Sequence, residues 1–219
     1  MKPRQPGSPA FAGPDRQNKM RWLLEEAPGS PKYNMAVDEA LLAELTAQVG
    51  SPAVRVYRWD RHCVSIGRLQ LEEPVRTLYP GLPIVRRPTG GRAVLHGDDL
   101  TISVAICLSG LPEDCRSVLT SHHLIMSSVL KALQAQGLEV CFGGCAIGSQ
   151  AGIVNCFELS AACDLIDSHT GEKLVGSAQR REGAALLQQM SLPLRILTDR
   201  IAFLGCLRTE FRQTFLDKG

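Results

Sequence analysis

The sequence predicts an α+β domain, a mixed and largely antiparallel sheet backed by helices. Three observations carry that expectation: apolar runs that alternate at period two recur along the chain, turn residues separate them closely enough for hairpins, and few stretches keep the 3.6-residue period of a helix. A parallel βαβ array needs a helix between most of its strands, so the antiparallel arrangement fits better. With 219 residues, 44% of them hydrophobic, the chain can bury one sizeable core and is short for two.

The elements follow in order. Residues 1–19 are rich in Pro, Gly and basic side chains and almost lack large apolar ones, so burial cannot offset the entropy of ordering them. They are expected to form a disordered extension ahead of a catalytic domain over residues 20–219, and their prolines argue against an amphipathic targeting helix. Arg21-Trp22-Leu23-Leu24 reads as a strand, ended by Pro28, Gly29 and Pro31. A helix follows, with Asn34 as N-cap, Asp38 and Glu39 near its positive end, and Met35, Leu41, Leu42, Leu45 and Val49 at helical spacing. Gly50 and Pro52 stop it. Residues 53–66 turn to strand around Asp60 and Arg61, residues 82–85 form another strand, and residues 93–96 and 100–107 flank a Gly97-Asp98 turn signal. A second helix is predicted over residues 120–136, capped by Thr120 or Ser121 and closed by Gly137. Strands return at 138–142, at 156–167 with an interruption, at 173–178 and around Leu186 to Leu194. Leu207, Phe211 and Phe215 then close the chain on an amphipathic helix.

Composition excludes several function classes. Lys+Arg 24 against Asp+Glu 22 leaves a net charge of +2, too balanced for a nucleic-acid binder that reads phosphate by bulk electrostatics. No apolar run approaches the roughly 20 residues of a membrane-spanning helix, so a soluble protein is expected. Eight cysteines without a secretory leader point to a reducing cytoplasm and to free, mostly buried thiols. Cys141 and Cys145 have a spacing that some zinc sites use, but no second pair follows, and the neighbours His122 and His123 face different directions on their helix. No metal is expected.

The densest chemical signal is Arg86-Arg87-Pro88-Thr89-Gly90-Gly91-Arg92-Ala93-Val94-Leu95-His96. Glycines let backbone N–H groups approach a ligand, and guanidinium groups offer forked donors to carboxylate or phosphate. It is not a nucleotide-binding P-loop, because no Gly-Lys-Ser/Thr follows. A second constellation joins Cys156-Phe157 to Gly171-Glu172-Lys173-Leu174-Val175-Gly176-Ser177-Ala178-Gln179-Arg180. On a strand, Lys173, Val175 and Ser177 share one face, and a lysine beside a cysteine lowers the thiol pKa towards the thiolate that acyl transfer needs. The same residues are compatible with a glycine hairpin carrying solvated arginines, a solvated Lys173 after the turn at His169-Thr170-Gly171, and a buried, inert Cys156.

Taken together, Asn34-Met35-Ala36-Val37-Asp38-Glu39-Ala40-Leu41-Leu42, Tyr57-Arg58-Trp59, Val64-Ser65-Ile66-Gly67-Arg68 with Gln70, RRPTGGRAVLH and KLVGSAQRR resemble the lipoate-protein ligase A and octanoyltransferase family. Order and spacing match from Met20 onward. The resemblance implies a fold like that of biotin protein ligase and the class II aminoacyl-tRNA synthetases. It also implies that Arg86, Arg87, Thr89, Gly90, Gly91 and His96 line an acyl pocket, that Lys173 sits at the acyl carbonyl or acyl-adenylate phosphate, and that Ser177 and Ala178 accompany it.

Within that family, ligases use ATP to form an acyl-adenylate and carry an accessory domain or partner. Octanoyltransferases of the LipM type take octanoyl already activated as a thioester on acyl carrier protein. The chain is more similar to the latter, through Cys156-Phe157 and the Ala178-Gln179-x-Arg181 extension. That resemblance implies a thioester on Cys156, attacked in turn by a lysine of a lipoyl-domain protein such as glycine cleavage H protein or a dehydrogenase E2, with Lys173 stabilising thiolate and oxyanion. No cofactor is implied for the transferase; ATP and Mg belong to the ligase alternative. A third alternative is a non-catalytic acyl- or carrier-binding protein of the same fold. The chain departs from the family pattern at Gln188-Gln189-Met190-Ser191, where a Gln-His-Gly-Ser segment is usual, and at Glu158-Leu159-Ser160-Ala161-Ala162 after Cys156.

Overall fold

A computed structural model describes residues 20–143 and 163–215. Residues 1–19, Cys145 and the Cys156-Phe157 pair lie outside them. In chain order the elements are β1 (Arg21–Leu24), α1 (Pro31–Thr46), β2 (Ala53–Tyr57), β3 (Cys63–Ile66), α2 (Glu72–Leu78), β4 (Ile84–Arg86), β5 (Val94–His96), β6 (Asp99–Cys107), α3 (Val118–Gln134), β7 (Val140–Phe142), β8 (Leu165–Asp167), β9 (Lys173–Glu182), β10 (Ala185–Pro193) and α4 (Arg200–Phe215).

The strands form a seven-stranded sheet of order β1-β2-β6-β10-β9-β8-β7 and a three-stranded sheet of order β4-β3-β5. Among the described strands only β1–β2 and β3–β4 pair in parallel, which agrees with the mixed, largely antiparallel sheet expected. The long β10 runs antiparallel to both β6 and β9. Its alternation divides the molecule: Leu186, Met190 and Leu192 join Val54, Val104, Ile125, Phe203 and Phe211 in the main core under α3 and α4. Leu187 instead packs with Leu41, Leu42 and Leu45 of α1 on the opposite face. Each such fully buried side chain contributes about 1.5–3 kcal/mol.

Two expected hairpins are not hairpins. Around Asp60 and again around Gly97-Asp98, the chain leaves one sheet and enters the other, so β2 and β6 belong to the large sheet and β3 and β5 to the small one. Every residue of β2 and β3 is buried, and strands covered on both faces need cover from a second layer rather than a simple ribbon. Gly97, with φ +144°, sits so close to His62 that a Cβ would lie 2.2 Å from its ring. Helix starts also move. Ser30, not Asn34, caps α1, its Oγ accepting from the Tyr33 N–H, while the Asn34 amide donates to the carbonyls of Gly29 and Arg58. Likewise Ser117 caps α3. Helix α2 was not anticipated, because seven residues are too few to display a period, although Glu72, Glu73 and Pro74 are start signals.

Candidate active site

The loop between β4 and β5 carries RRPTGG, and its two arginines hold backbone. Arg86 Nη1 donates to the carbonyls of Gly67, Arg68 and Gln70 at 2.9, 3.1 and 2.8 Å. Arg87 is buried and donates to the Ser65 carbonyl at 2.9 Å, to Gly90 O through Nε and Nη2, and to Arg92 O at 2.6 Å. Five donors in a rigid fork suit such a cluster of carbonyls better than a lysine would. Gly67 and Gly91 touch backbone to backbone: a Cβ on Gly67 would lie 1.9 Å from Gly91 O, so any side chain there forces the two loops apart.

At the end of the same loop, His96 lies between Asp99 Oδ2 and Ser65 Oγ, both at 2.8 Å, and stacks on Trp59 with centroids 4.0 Å apart. Burial works against charge on Asp99. His96, the Ser191 hydroxyl and the Gly97 N–H together outweigh that cost and hold the carboxyl below its usual range. The wall they form opens on a cavity lined by Met35, Trp59, Val94, His96, Ser177 and Gln189, among others. Its surface is mostly apolar, with polar side chains that include Arg87, His96, Ser177 and Gln189, a lining suited to a hydrocarbon chain with a polar head.

Strand β9 supplies the other rim. Lys173, which could have been a solvated turn residue, is buried, and its Nζ lies 2.8 Å from Asp164 Oδ2 with both side chains about 5% and 4% exposed. Four residues along the strand, Ser177 meets Nε2 of His122 on α3 and receives Gln188 Nε2 at 3.5 Å. Burial pushes the His122 imidazole down to about 4, against the opposing pull of the Asp164 charge, so the ring is neutral at pH 7. Ala178 approaches Gly91, which closes the gap between the two rims. Among the described residues no group of His, Cys, Asp and Glu side chains could hold a metal ion.

The residues proposed from the resemblance therefore converge unequally. Arg87, His96, Ser177 and Ala178 border the cavity. Thr89, Gly90 and Gly91 form the loop behind it, with Thr89 Oγ1 donating to Gln189 Oε1 at 2.6 Å. Arg86 faces the loop at residues 67–70, Lys173 lies further along β9, and Cys156 is outside the described residues. Cys63 and Cys163 are buried, and the other described cysteines are half-buried. Burial, chiefly, pushes the Cys63 thiol up to about 12, with Asp99 and Asp60 adding to it, which leaves that thiol inert.

Sequence reading missed a second polar hub. Arg55 is fully buried mid-strand, with Nε 2.6 Å from Glu25 Oε1, Nη1 2.9 Å from Asp38 Oδ1, and its guanidinium over the Tyr57 ring at 3.9 Å. Asp38 also accepts from Tyr57, Ser103 and Gln189. The available signal was position: Asp38 falls three residues after Met35 and four before Leu42, on the apolar face of its helix. Gln189, where the family pattern has His, bridges Asp38 to Thr89, whereas Met190 belongs to the main core.

Comparison with known proteins decides the lineage. Residues 30–211, most of the chain, match the lipoyl protein ligase A/B catalytic domain. The chain belongs to this family. It is 36% identical over 185 residues to an octanoyltransferase LipM of Carboxydothermus hydrogenoformans, spanning 82% of this chain and 66% of that one. With the octanoyltransferase LipM of Kyrpidia tusciae it shares 35% identity, over 88% of this chain and 74% of that one. The chain thus spans about two thirds to three quarters of the length of these curated relatives. Among solved structures, a lipoate-protein ligase A bound with ATP superposes with a TM-score of 0.69 at 21% identity, covering 90% of this chain and 85% of that one. A T. acidophilum protein of the lipoate protein ligase type, solved with lipoic acid, gives 0.70 at 22%, covering 90% and 86%. These likenesses establish the lipoyl ligase fold for the chain.

Proposed function

We propose that this lipoyl ligase-family chain is an octanoyltransferase of protein lipoylation, moving octanoyl from a carrier-protein thioester to a lysine of a lipoyl-domain protein. The observation that carries the reading is the meeting of the RRPTGG loop and the KLVGSA strand at one mainly apolar cavity, in a chain whose curated relatives are named octanoyltransferases. The cavity takes the acyl chain, and the loop fixed by Arg86 and Arg87 forms its wall without needing to reorganise at each turnover.

In the proposed reaction the Cys156 thiolate attacks the donor thioester carbonyl, and the carrier sulfur leaves with the electron pair of the broken bond as a thiolate. The acceptor lysine amine then attacks the enzyme thioester, forming an amide and releasing Cys156. Thioester exchange is nearly neutral in free energy and amide formation is downhill, so no nucleotide is consumed. Lys173, fixed by Asp164, supplies positive charge beside the thiolate and the carbonyl oxygen. Binding residues are Arg87, Thr89, Gly90, Gly91, His96, Ser177 and Ala178, with Arg86 acting through the loop it holds.

The test is intact mass after exposure to octanoyl carrier protein, followed by a lipoyl domain, with and without ATP. An octanoyl adduct that disappears from the wild-type enzyme and appears on the lipoyl domain without ATP is the expected result, together with its loss in Cys156→Ser. Strict ATP dependence without an adduct supports a ligase instead.

A further inference from the structure

We propose that His122 is a positioning residue for the second half of the reaction: it holds the Ser177 hydroxyl so that Ser177 Oγ receives an N–H of the incoming lysine amine. The proposal rests on the transferase reading and concerns a residue on α3, an element none of the family motifs covers. Ser177 borders the acyl cavity, and His122 Nε2 is in hydrogen-bond contact with its Oγ. Among the described residues Ser177 is the hydrogen-bond partner of that ring.

A serine hydroxyl has one hydrogen to give and two lone pairs. A neutral imidazole accepting at Nε2 takes that hydrogen, which leaves the lone pairs of Ser177 as acceptors. Gln188 Nε2 approaches one of them at 3.5 Å, and Gln179 Nε2, donating to Gln188 Oε1 at 2.7 Å, holds that amide in turn. The other has no hydrogen-bond partner among the described residues. Lys173 cannot serve this purpose, since an ammonium bound to Asp164 has donors and no acceptor. His96 is already bound on both nitrogens, to Asp99 and Ser65.

The chemistry of the second step calls for such an acceptor. As the amine nitrogen bonds to the acyl carbon, the carbon–sulfur bond breaks and its electron pair leaves on the Cys156 sulfur. The nitrogen sheds one proton, which ends on that thiolate and restores the thiol. An N–H held by Ser177 Oγ during the attack orients the nitrogen lone pair at the carbonyl. Formation of the acyl-enzyme involves no amine, so the same contact leaves the first step unaffected.

The experiment measures both half-reactions separately by intact mass in single turnover, using octanoyl carrier protein and then a lipoyl domain. His122→Leu is expected to form the adduct at the wild-type rate and to pass it on roughly ten- to hundred-fold more slowly, the scale of a misplaced reacting group. Ser177→Ala should slow the transfer step to the same degree, and the double variant should pass octanoyl on no more slowly than either single one. His122→Gln, whose amide oxygen can still accept the hydroxyl hydrogen, should recover much of the lost rate. Equal slowing of both steps, unchanged transfer in His122→Leu, or no recovery in a folded His122→Gln overturns the proposal while leaving the transferase reading intact. No adduct in the wild-type enzyme overturns the transferase reading, and this proposal with it.

Discussion

Two buried ion pairs flank the large sheet, and they are built differently. Arg55 and Asp38 are both fully buried, and around them Glu25, Asn34, Tyr57, Ser103 and Gln189 take up further donors and acceptors. Lys173 and Asp164 form a compact ammonium–carboxylate contact at the start of β9, on the strand that also carries Ser177 and beside a histidine held neutral. A guanidinium with its fork satisfied ties α1 to the sheet and has little left to offer a substrate. A point charge three residues from Gly176, which lines the cavity, can act on a developing negative charge. Equal burial thus goes with different arrangements of charge.

Breaking the first pair should have the largest effect. Arg55→Met leaves Asp38 buried without its cation and is expected to cost about 3–5 kcal/mol in urea unfolding; a loss under about 1 kcal/mol would mean the hub is not structural. The second pair is tested by removing both charges at once. Lys173→Met with Asp164→Asn should stay within about 1–2 kcal/mol of wild type, while octanoyl transfer falls on the order of 100-fold, as when one oxyanion donor is lost. Wild-type transfer by that double variant would remove Lys173 from the chemistry.

Arg87 sharpens the contrast from the binding side. Considered as a sequence, Arg87→Ala should harm acyl transfer more than folding. The structure changes that expectation, because the guanidinium satisfies carbonyls of Ser65, Gly90 and Arg92, so stability should fall by roughly 2 kcal/mol along with activity. Arg92→Ala keeps the carbonyl that Arg87 uses and should be milder in both assays.

The smallest effect is a pH dependence. His122 titrates near 4 in the folded chain, against 6.5 for the free side chain, so between those values the unfolded state holds the extra proton. Stability is therefore lost as pH falls from 6.5 towards 4 and is unaffected above it. Relative to His122→Leu, wild type should lose roughly 1–2 kcal/mol between pH 7 and pH 5, measured by denaturant midpoint at each pH. A constant difference across that range would mean the ring is not buried as described.

How much of this was legible beforehand depended on range. Period-two runs, RRPTGG and KLVGSA are local, and they located most strands and both rims of the cavity. Which sheet a strand joins is set by distant partners, so residues 53–66 read as one ribbon although β2 and β3 part company. Buried charge was hidden for a similar reason: Arg55 looks like the solvent-facing member of an alternating strand until Asp38 and Glu25 are seen beside it. Ser177 was found through its motif. Its partner His122, 55 positions away, carried no signal except a histidine on a helix.

The two places where the chain steps between sheets, after Tyr57 and after His96, also constrain how the protein can be re-engineered. The small sheet is tethered to the large one by both ends of the stretch that forms one wall of the cavity, and Gly67 and Gly91 lock its loops together within a single atom's clearance. Transplanting that wall from a relative would disturb two crossings and a glycine contact simultaneously. Reshaping the cavity, for a longer or shorter acyl chain under the proposed function, is therefore a matter of trimming or enlarging individual side chains such as Met35 and Val94, with the scaffold left alone.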